Sequence, residues 1–343
     1  MKAAILTLVL LLPVSAAAQN DPAPAREAAD AAAQPATPTP PAPSQHEEVK
    51  RRGSMVGYID DASVDTQIRL RFDAGFHDHR PDQAEFFYGK CGCYRQLAGN
   101  AAYDPNAPGP GPGIATDINF QQFYVEGQYS LMGRVALFAE LPVRWLQPQA
   151  FAPGGPPGTF SSQAGLSDIR AGGKVALVNT ADTTLTAQVT GYFPSGDAKK
   201  GLGTNHSSVE PALLYFQRVA DRVAIESQIA DWHPIGGSAG VPVSNSEKFA
   251  GDVIFYGIGP SFELVRTSNV SFAPVVELVG WHVVSGFSTV VGDVSGANIV
   301  NLKVGARTTF QGRSSFYVGY GRALTQSTDW YDDILRLEYR FSF

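Results

Sequence analysis

Polar and apolar residues alternate along most of this sequence. In residues 65–76, Ile68, Leu70 and Phe72 are separated by polar neighbours. Successive side chains of a β-strand point to opposite faces, so a period of two predicts a strand. The pattern recurs in twelve segments, near residues 64–76, 118–131, 135–146, 166–178, 183–194, 207–217, 223–234, 251–265, 270–283, 298–310, 314–324 and 331–343. Each is long enough for a tilted strand to cross a bilayer, which takes about 9–11 residues.

The connections between these segments alternate in length. Short ones occupy residues 132–134, 179–182, 218–222, 266–269 and 311–313, and longer ones lie near 77–117, 147–165, 195–206, 235–250 and 284–297; the last, near 325–330, is brief. Short periplasmic turns and longer outer loops are typical of outer-membrane barrels. We therefore predict a transmembrane antiparallel β-barrel of about twelve strands over residues 54–343, located in the bacterial outer membrane and in contact with its lipid.

Charged residues within the strands fall on the polar face. An arginine or lysine facing lipid at mid-bilayer costs about 2–4 kcal/mol, so these side chains are expected to point into the lumen. Together with two tryptophans, the predicted lumen-lining residues are Arg69, Arg71, Glu126, Glu140, Arg144, Asp168, Arg170, Lys174, Glu210, Trp232, Glu277, Trp281, Lys303, Arg307, Arg336, Glu338 and Arg340. Two interpretations remain open: ion pairs that fill the barrel, or charges that select a solute, with Arg69, Arg71, Arg336 and Arg340 as a cationic wall for an aromatic anion.

The other arc of the lumen is predicted to be less polar. If Glu277 faces inward, so do Val275, Val279 and Trp281, and Trp232 shares this phase. Inward apolar side chains suit passage of an aromatic or hydrophobic molecule, although packing against an inward-folded segment is an equal alternative. Outward aromatics are expected to rim the barrel at Tyr129, Trp145, Tyr192, Trp330 and Tyr339.

Both ends of the chain indicate export. Residues 1–18 combine Lys2, an apolar run and a small-residue cleavage site, as secretory signal peptides do. Residues 19–53 are rich in Pro and Ala and contain no aromatic residue, so we predict a disordered periplasmic tether. The final strand alternates up to a terminal Phe343. This resembles the signal that the outer-membrane insertion machinery recognises.

Two motifs resemble a known family. Gly165-Leu-Ser-Asp-Ile-Arg-Ala-Gly-Gly-Lys174 and the loop from Phe193-Pro-Ser-Gly-Asp through Gly-Leu-Gly-Thr to Pro211 are similar to motifs of the outer-membrane family named for the MetA pathway of phenol degradation. The similarity lies mainly in residues 165–217, together with the strand that ends in Phe343. It implies a barrel that passes small, often aromatic, compounds, and it assigns no residue a role.

Other chemistry has weaker support. The formal net charge of -6 argues against a nucleic-acid partner. Cys91 and Cys93 lie in the longest loop, where a disulfide is favoured over a metal site or free thiols. His206 is adjacent to Ser207, and neighbouring strand residues point to opposite faces, so a hydrolase is the least favoured interpretation. We expect no catalytic residues, no metal and no cofactor.

Three functions follow in order of preference. A channel or transporter for passive passage of small, aromatic or hydrophobic compounds comes first. A structural or surface-interaction outer-membrane protein with a plugged lumen is the alternative, and an outer-membrane hydrolase is third.

Overall fold

The computed structural model describes residues 54–78, 115–151, 161–197, 200–204, 206–235, 251–285, 287–288, 292–293, 295–325 and 331–343. The predicted signal peptide, the tether and the Cys91–Cys93 disulfide lie outside these residues. The strands are β1 (Gln67–Asp78), β2 (Ala115–Leu131), β3 (Val135–Phe151), β4 (Gln163–Leu166), β5 (Ile169–Asn179), β6 (Thr183–Phe193), β7 (Ser207–Ala220), β8 (Val223–Ile235), β9 (Val253–Phe262), β10 (Val265–Arg266), β11 (Val270–Val283), β12 (Phe287–Ser288), β13 (Gly292–Asp293), β14 (Asn298–Phe310), β15 (Ser314–Ala323) and β16 (Asp333–Ser342).

Twelve of these strands close into a barrel. Each long strand pairs antiparallel with its neighbours, in the order β1, β2, β3, β5, β6, β7, β8, β9, β11, β14, β15 and β16. Closure comes from β16 pairing with β1, where Arg69 lies opposite Arg340. The short β4 extends β5 along β3, β10 pairs with β11, and β12 and β13 form a separate hairpin. The predicted fold class and strand number are confirmed.

The short connections lie together at one end of the barrel, which we call the turn end; the opposite end is the loop end. Met132 and Gly133 both have positive φ angles, 56° and 67°, and so do Gln311 and Gly312. Two consecutive residues of this kind match the twist of the flanking strands and allow a tight hairpin. In outer-membrane barrels such turns face the periplasm.

The two faces of each strand differ in the way that a membrane requires. On β7, Leu214 is fully buried, whereas the adjacent Leu213 is 47% exposed. Large apolar side chains are exposed around the exterior, among them Leu137, Val276 and Val304, while charged residues are buried inside. This inside-out distribution is that of an outer-membrane barrel and confirms the predicted location. Within the described part of the chain, no helix has the length and apolar character needed to cross a membrane.

Three of the predicted rim aromatics, Tyr129, Trp145 and Tyr339, are exposed on the exterior. Tyr192 is not: its side chain is buried, and its ring lies 5.2 Å from the Arg170 guanidinium. The prediction for Tyr192 is therefore wrong, because the phase of β6 turns this residue inward. Trp330 lies outside the described residues.

The segment before β1 runs inside the barrel. Residues 54–66, which we call the lumen loop, enter at the turn end, where the Met55 amide donates to Glu226 near the start of β8. Tyr58 lies half-way up, with its hydroxyl donating to the Gly319 carbonyl. The loop then returns to the turn end, where Val64 packs on Ala136 and Ala176. The main apolar core is formed by the inner face of β7, β8, β9, β11 and β14 together with this loop.

Candidate functional site: the barrel lumen

The predicted lumen-lining residues all lie on the inner face of the barrel. Arg170 and Arg336 are half-buried, and the other members of the set are buried. They lie on nine of the twelve barrel strands, except for Asp168, which comes just before β5. What each group does there depends on its partners, which the sequence could not assign.

On the inner wall formed by β1, β2 and β3, the charges form ion pairs with one another. Arg69 pairs with Glu126 and lies 3.7 Å from Glu140. Glu140 also accepts from Arg71 at 3.0 Å and pairs with Arg170 at 3.1 Å. These arginines are thus matched by carboxylates, which supports the interpretation that they fill and brace the barrel.

The arginines of β14 and β16 are also paired. Arg336 binds Asp73 through two nitrogens, both at 2.6 Å. Glu338 lies between Arg307 at 2.7 Å and Arg340 at 2.5 Å. With these partners in place, the four-arginine cationic wall considered from the sequence is largely neutralised.

A carboxylate on β11 holds the tip of the lumen loop. Both oxygens of Glu277, which is fully buried, accept backbone N–H groups: Gly57 at 3.0 Å, Tyr58 at 2.9 Å and Ile59 at 2.9 Å. The Tyr317 hydroxyl donates to the same carboxylate at 3.0 Å. Hydrogen bonds to an ionised group are stronger than neutral ones, so Glu277 fixes the position of the tip.

Basic side chains bind the carbonyl groups of the same loop. Arg307 donates to Val56 at 2.7 Å, and Arg336 donates to Gly57 at 2.6 Å. Further along, Lys174 donates to the Asp61 carbonyl at 2.8 Å. The loop therefore satisfies charged groups of the wall on opposite sides of the lumen.

The apolar side of the loop fits against β9. A Cβ atom added to Gly257 would lie 2.9 Å from Ile59, and one on Gly259 would lie 2.6 Å from Val56. These glycines leave the space that the loop occupies. They also explain why the alternation in residues 251–265 is weak in the sequence.

An aromatic and aliphatic surface lies on the loop-end side of the lumen loop. We call it the apolar arc; it consists of Leu214, Trp232, Phe255, Val279 and Trp281, all buried. The rings of Phe255 and Trp281 are 5.5 Å apart. The sequence predicted inward positions for Trp232, Val279 and Trp281, and the structure places these residues in one buried cluster with apolar side chains of the lumen loop.

The motifs that resemble the phenol-degradation family bind each other. Asp168 accepts from the Gly196 amide at 3.0 Å, the Thr204 amide at 2.8 Å and the Thr204 hydroxyl at 2.9 Å. Leu202 is thereby buried against Ile118 and neighbouring apolar residues inside the loop end. Asp168 thus closes the connection between β6 and β7 inward over the lumen.

At the turn end, a cavity of about 570 Å³ opens beside the charged turns. Arg266 binds Glu263 and lies 2.9 Å from Asp221. Hydrogen bonds to Glu263 and then to Asp221 raise the pKa of Arg266 above its ordinary value. The sequence analysis placed Asp221 and Arg266 in short turns and Glu263 in the strand segment 251–265, and it predicted no role for them.

Three features of the lumen were missed from the sequence: the lumen loop itself, Asn301, and the contact of Lys303 with Tyr331. One signal for the loop was present. Residues 55–59, which follow the charged end of the predicted tether, are mostly apolar and show no period of two. Such an apolar run is unusual in an exposed linker.

The described residues contain no cluster of His, Cys, Asp and Glu suited to a metal ion. The ring of His206 lies edge-on to Trp232, and its Nδ1 is 3.1 Å from the Thr204 carbonyl. Ser208 is buried, and among the described residues its hydroxyl has no hydrogen-bond partner. These contacts give no positive support to the hydrolase interpretation.

No family model matches this chain. A search of curated proteins likewise finds no match. Among solved structures, an outer-membrane channel from Pseudomonas putida F1 is similar with a TM-score of 0.50 and 14% identity, over 84% of this chain and 99% of that one. The fold is that of this channel.

Two further structures are similar at lower scores. The beta domain of a Bordetella autotransporter, BrkA, has a TM-score of 0.45 at 13% identity, over 81% of this chain and 100% of its own. The KdgM porin has a TM-score of 0.39 at 9% identity, over 81% and 99%.

Proposed function

We propose that this barrel is an outer-membrane channel for passive passage of small aromatic or hydrophobic compounds. The observation that carries the proposal is the apolar arc, which faces the lumen at mid-barrel and above. A channel for polar solutes gains nothing from buried tryptophans, whereas an aromatic solute can stack on them. The resemblance of residues 165–217 to the phenol-degradation family supports the same class of solute.

Passage on this proposal requires the lumen loop to shift. The loop occupies the turn-end half of the barrel and is held by Glu226, Glu277 and the arginines around it. Water that enters with a solute can replace the hydrogen bonds of the loop. The apolar solute itself can cover the apolar surface from which the loop moves away. The covalent link to β1 at residue 67 keeps the displaced loop close to its site.

Export and assembly belong to the same proposal. Residues 1–18 would direct secretion, and the strand that ends in Phe343 would be recognised by the insertion machinery. Phe343 is 57% exposed, and Phe341 lies against it at 5.1 Å between ring centroids.

The test is solute entry into proteoliposomes, comparing benzenesulfonate with propanesulfonate. Both carry the same permanent charge, so the aromatic ring alone distinguishes them. We expect faster entry of benzenesulfonate, and Trp281→Ala should reduce the preference about two- to tenfold, because one aromatic contact contributes about 0.5–1.5 kcal/mol. Trp145→Ala, which changes an exterior tryptophan, is the matched control. Equal entry of the two solutes in the parent protein would refute the aromatic preference.

One observation favours a second function, that of a structural outer-membrane protein with a plugged lumen. Arg340 binds Asp61 of the lumen loop at 3.1 Å while also pairing with Glu338, so the loop is part of the charge network of the wall. Planar-bilayer recordings separate the two functions. If the parent protein shows no conductance, and Glu277→Gln, which weakens the binding of the loop, also shows none, the structural function with a plugged lumen is supported.

A further inference from the structure

Lys303 is a buried cation without a carboxylate partner. Its side chain is 1% exposed on the inner face of β14, and none of the described residues forms an ion pair with it. The residue opposite on β11 is Glu277, the natural counter-ion. That carboxylate is instead occupied by the amides of the lumen loop and by Tyr317.

The ammonium group is surrounded by aromatic rings. Lys303 Nζ lies 4.4 Å from the ring centre of Tyr58 and 4.7 Å from that of Tyr331, and it donates to the Tyr331 hydroxyl. An ammonium has three hydrogens to donate, and Tyr331 accepts one. The Arg336 guanidinium, which is already paired with Asp73, also lies over the Tyr58 ring, 4.2 Å from its centre. Of the two cations beside Tyr58, only Arg336 has a carboxylate within ion-pair distance among the described residues.

Asn301 lies two residues along the same inner face, toward the loop end. It is 1% exposed, and neither its amide nitrogen nor its amide oxygen has a hydrogen-bond partner among the described residues. A buried amide without partners is costly, so such a group points to something that binds there. Val279 lies opposite Asn301 in the register, and Trp281 of the apolar arc lies opposite Ile299, the next inward residue.

We infer that Lys303 and Asn301 form a binding site for the anionic group of a small aromatic solute, such as a carboxylate or sulfonate. The inference rests on the proposed channel function and names the solute class. The anionic group would accept from the Lys303 ammonium and the Asn301 amide, while the ring contacts Trp281 and Tyr331. The tip of the lumen loop, at Tyr58, forms the turn-end floor of this site.

The site replaces the four arginines as the source of anion preference. Arg69, Arg71, Arg336 and Arg340 each have carboxylate partners. A solute would have to compete with those carboxylates for an arginine. At Lys303 no carboxylate of the described residues lies within ion-pair distance, so the solute has no such competitor for the ammonium.

The experiment compares entry of benzenesulfonate and phenyltrimethylammonium, two aromatic ions of opposite permanent charge, into proteoliposomes. We expect Lys303→Met to lower the anion-to-cation ratio about tenfold, since a hydrogen bond to a charged group contributes at least that factor when its loss leaves the solute unpaired. Lys303→Arg should retain most of the ratio. Lys200→Met removes the same charge from an exposed position and should leave the ratio unchanged.

Asn301→Leu distinguishes direct binding of the solute from a general electrostatic effect of Lys303, because this substitution changes no charge. The variant should lower the ratio of benzenesulfonate entry to phenyltrimethylammonium entry about threefold or more, because one hydrogen bond to a charged group is lost. The chloride-to-potassium permeability ratio in bilayer recordings should stay at the parental value. Two results together would overturn the inference. The ratio of benzenesulfonate to phenyltrimethylammonium entry would be unchanged in Asn301→Leu, and Lys303→Met would shift this ratio and the chloride-to-potassium ratio by the same factor. That outcome leaves the channel proposal standing, provided that the parent still prefers benzenesulfonate to propanesulfonate. Folding of each variant is checked by heat-modifiable migration on a gel.

Discussion

Single residues decide whether the lumen loop stays in the barrel. Gly57 has no side chain at the point where the loop passes Tyr317 of β15, and its amide donates to Glu277. A Cβ atom at this position would lie 2.2–2.6 Å from three carbons of the Tyr317 ring. The Tyr317 ring cannot easily yield, because its hydroxyl is bound to the same Glu277.

We therefore predict that Gly57→Ala displaces the loop tip. Overpacking of this kind costs about 1–3 kcal/mol, which the loop can relieve by leaving its site while the barrel remains folded. Single-channel conductance should rise above that of the parent protein. Gly127→Ala is the control, since a Cβ atom there meets nothing within 4 Å. Identical conductance in the two variants would contradict the prediction.

At the scale of elements, the connection between β6 and β7 is shaped by one carboxylate. Asp168 lies just before β5 and binds residues 196 and 204 of that connection. Among the described residues of this connection, which form no strand pairing, its three hydrogen bonds provide the anchor, and they bring Leu202 to the lumen. A Cβ atom on Gly203 would lie 2.3 Å from Asp168, so the glycine of the Gly-Leu-Gly-Thr motif makes this approach feasible.

Loss of this carboxylate should open the connection without unfolding the barrel. In Asp168→Ala we expect trypsin to cleave after Lys200 about ten times faster or more, because each lost hydrogen bond to a charged group contributes roughly 1.5–3 kcal/mol to local closure. Mass spectrometry locates the cut. Asp182→Ala, at an exposed turn, should be cleaved there at the parental rate. Protection of Lys200 in Asp168→Ala would show that other contacts hold the connection.

At the scale of the whole molecule, the exterior must match a bilayer along its full height. Val304 is at the middle of β14 and faces outward, and Phe310 faces outward at the turn end of the same strand. The cost of a charge on the lipid face depends on its depth.

Val304→Arg should thus lower the free energy of unfolding by about 2–4 kcal/mol, and Phe310→Arg by about 0–1 kcal/mol, since the latter side chain reaches the interface. Denaturant unfolding in lipid bilayers, followed by gel mobility, measures both values. Equal losses for the two variants would mean that Val304 lies no nearer the middle of the bilayer than Phe310 does.

More of the barrel wall than of the lumen could be predicted from the sequence. Alternation was sufficient for the twelve strands and for the inward side of residues such as Lys303 and Trp281, because the period of two is local and a charge facing lipid is costly. Alternation also places Tyr192 inside, so the error there was the assignment of this aromatic to the outer rim. It was weak at Gly257 and Gly259, whose missing side chains make room for the loop.

The contents of the lumen required the tertiary structure. Gly57 and Glu277 are 220 residues apart, so no local pattern connects them. Whether an inward arginine is paired, and whether Lys303 lacks a carboxylate, depends on which strands become neighbours around the closed barrel and on the path of residues 54–66 inside it. The wall of this protein follows from short-range alternation, whereas its candidate binding site follows from contacts that exist only once the barrel has closed around its own N-terminal segment.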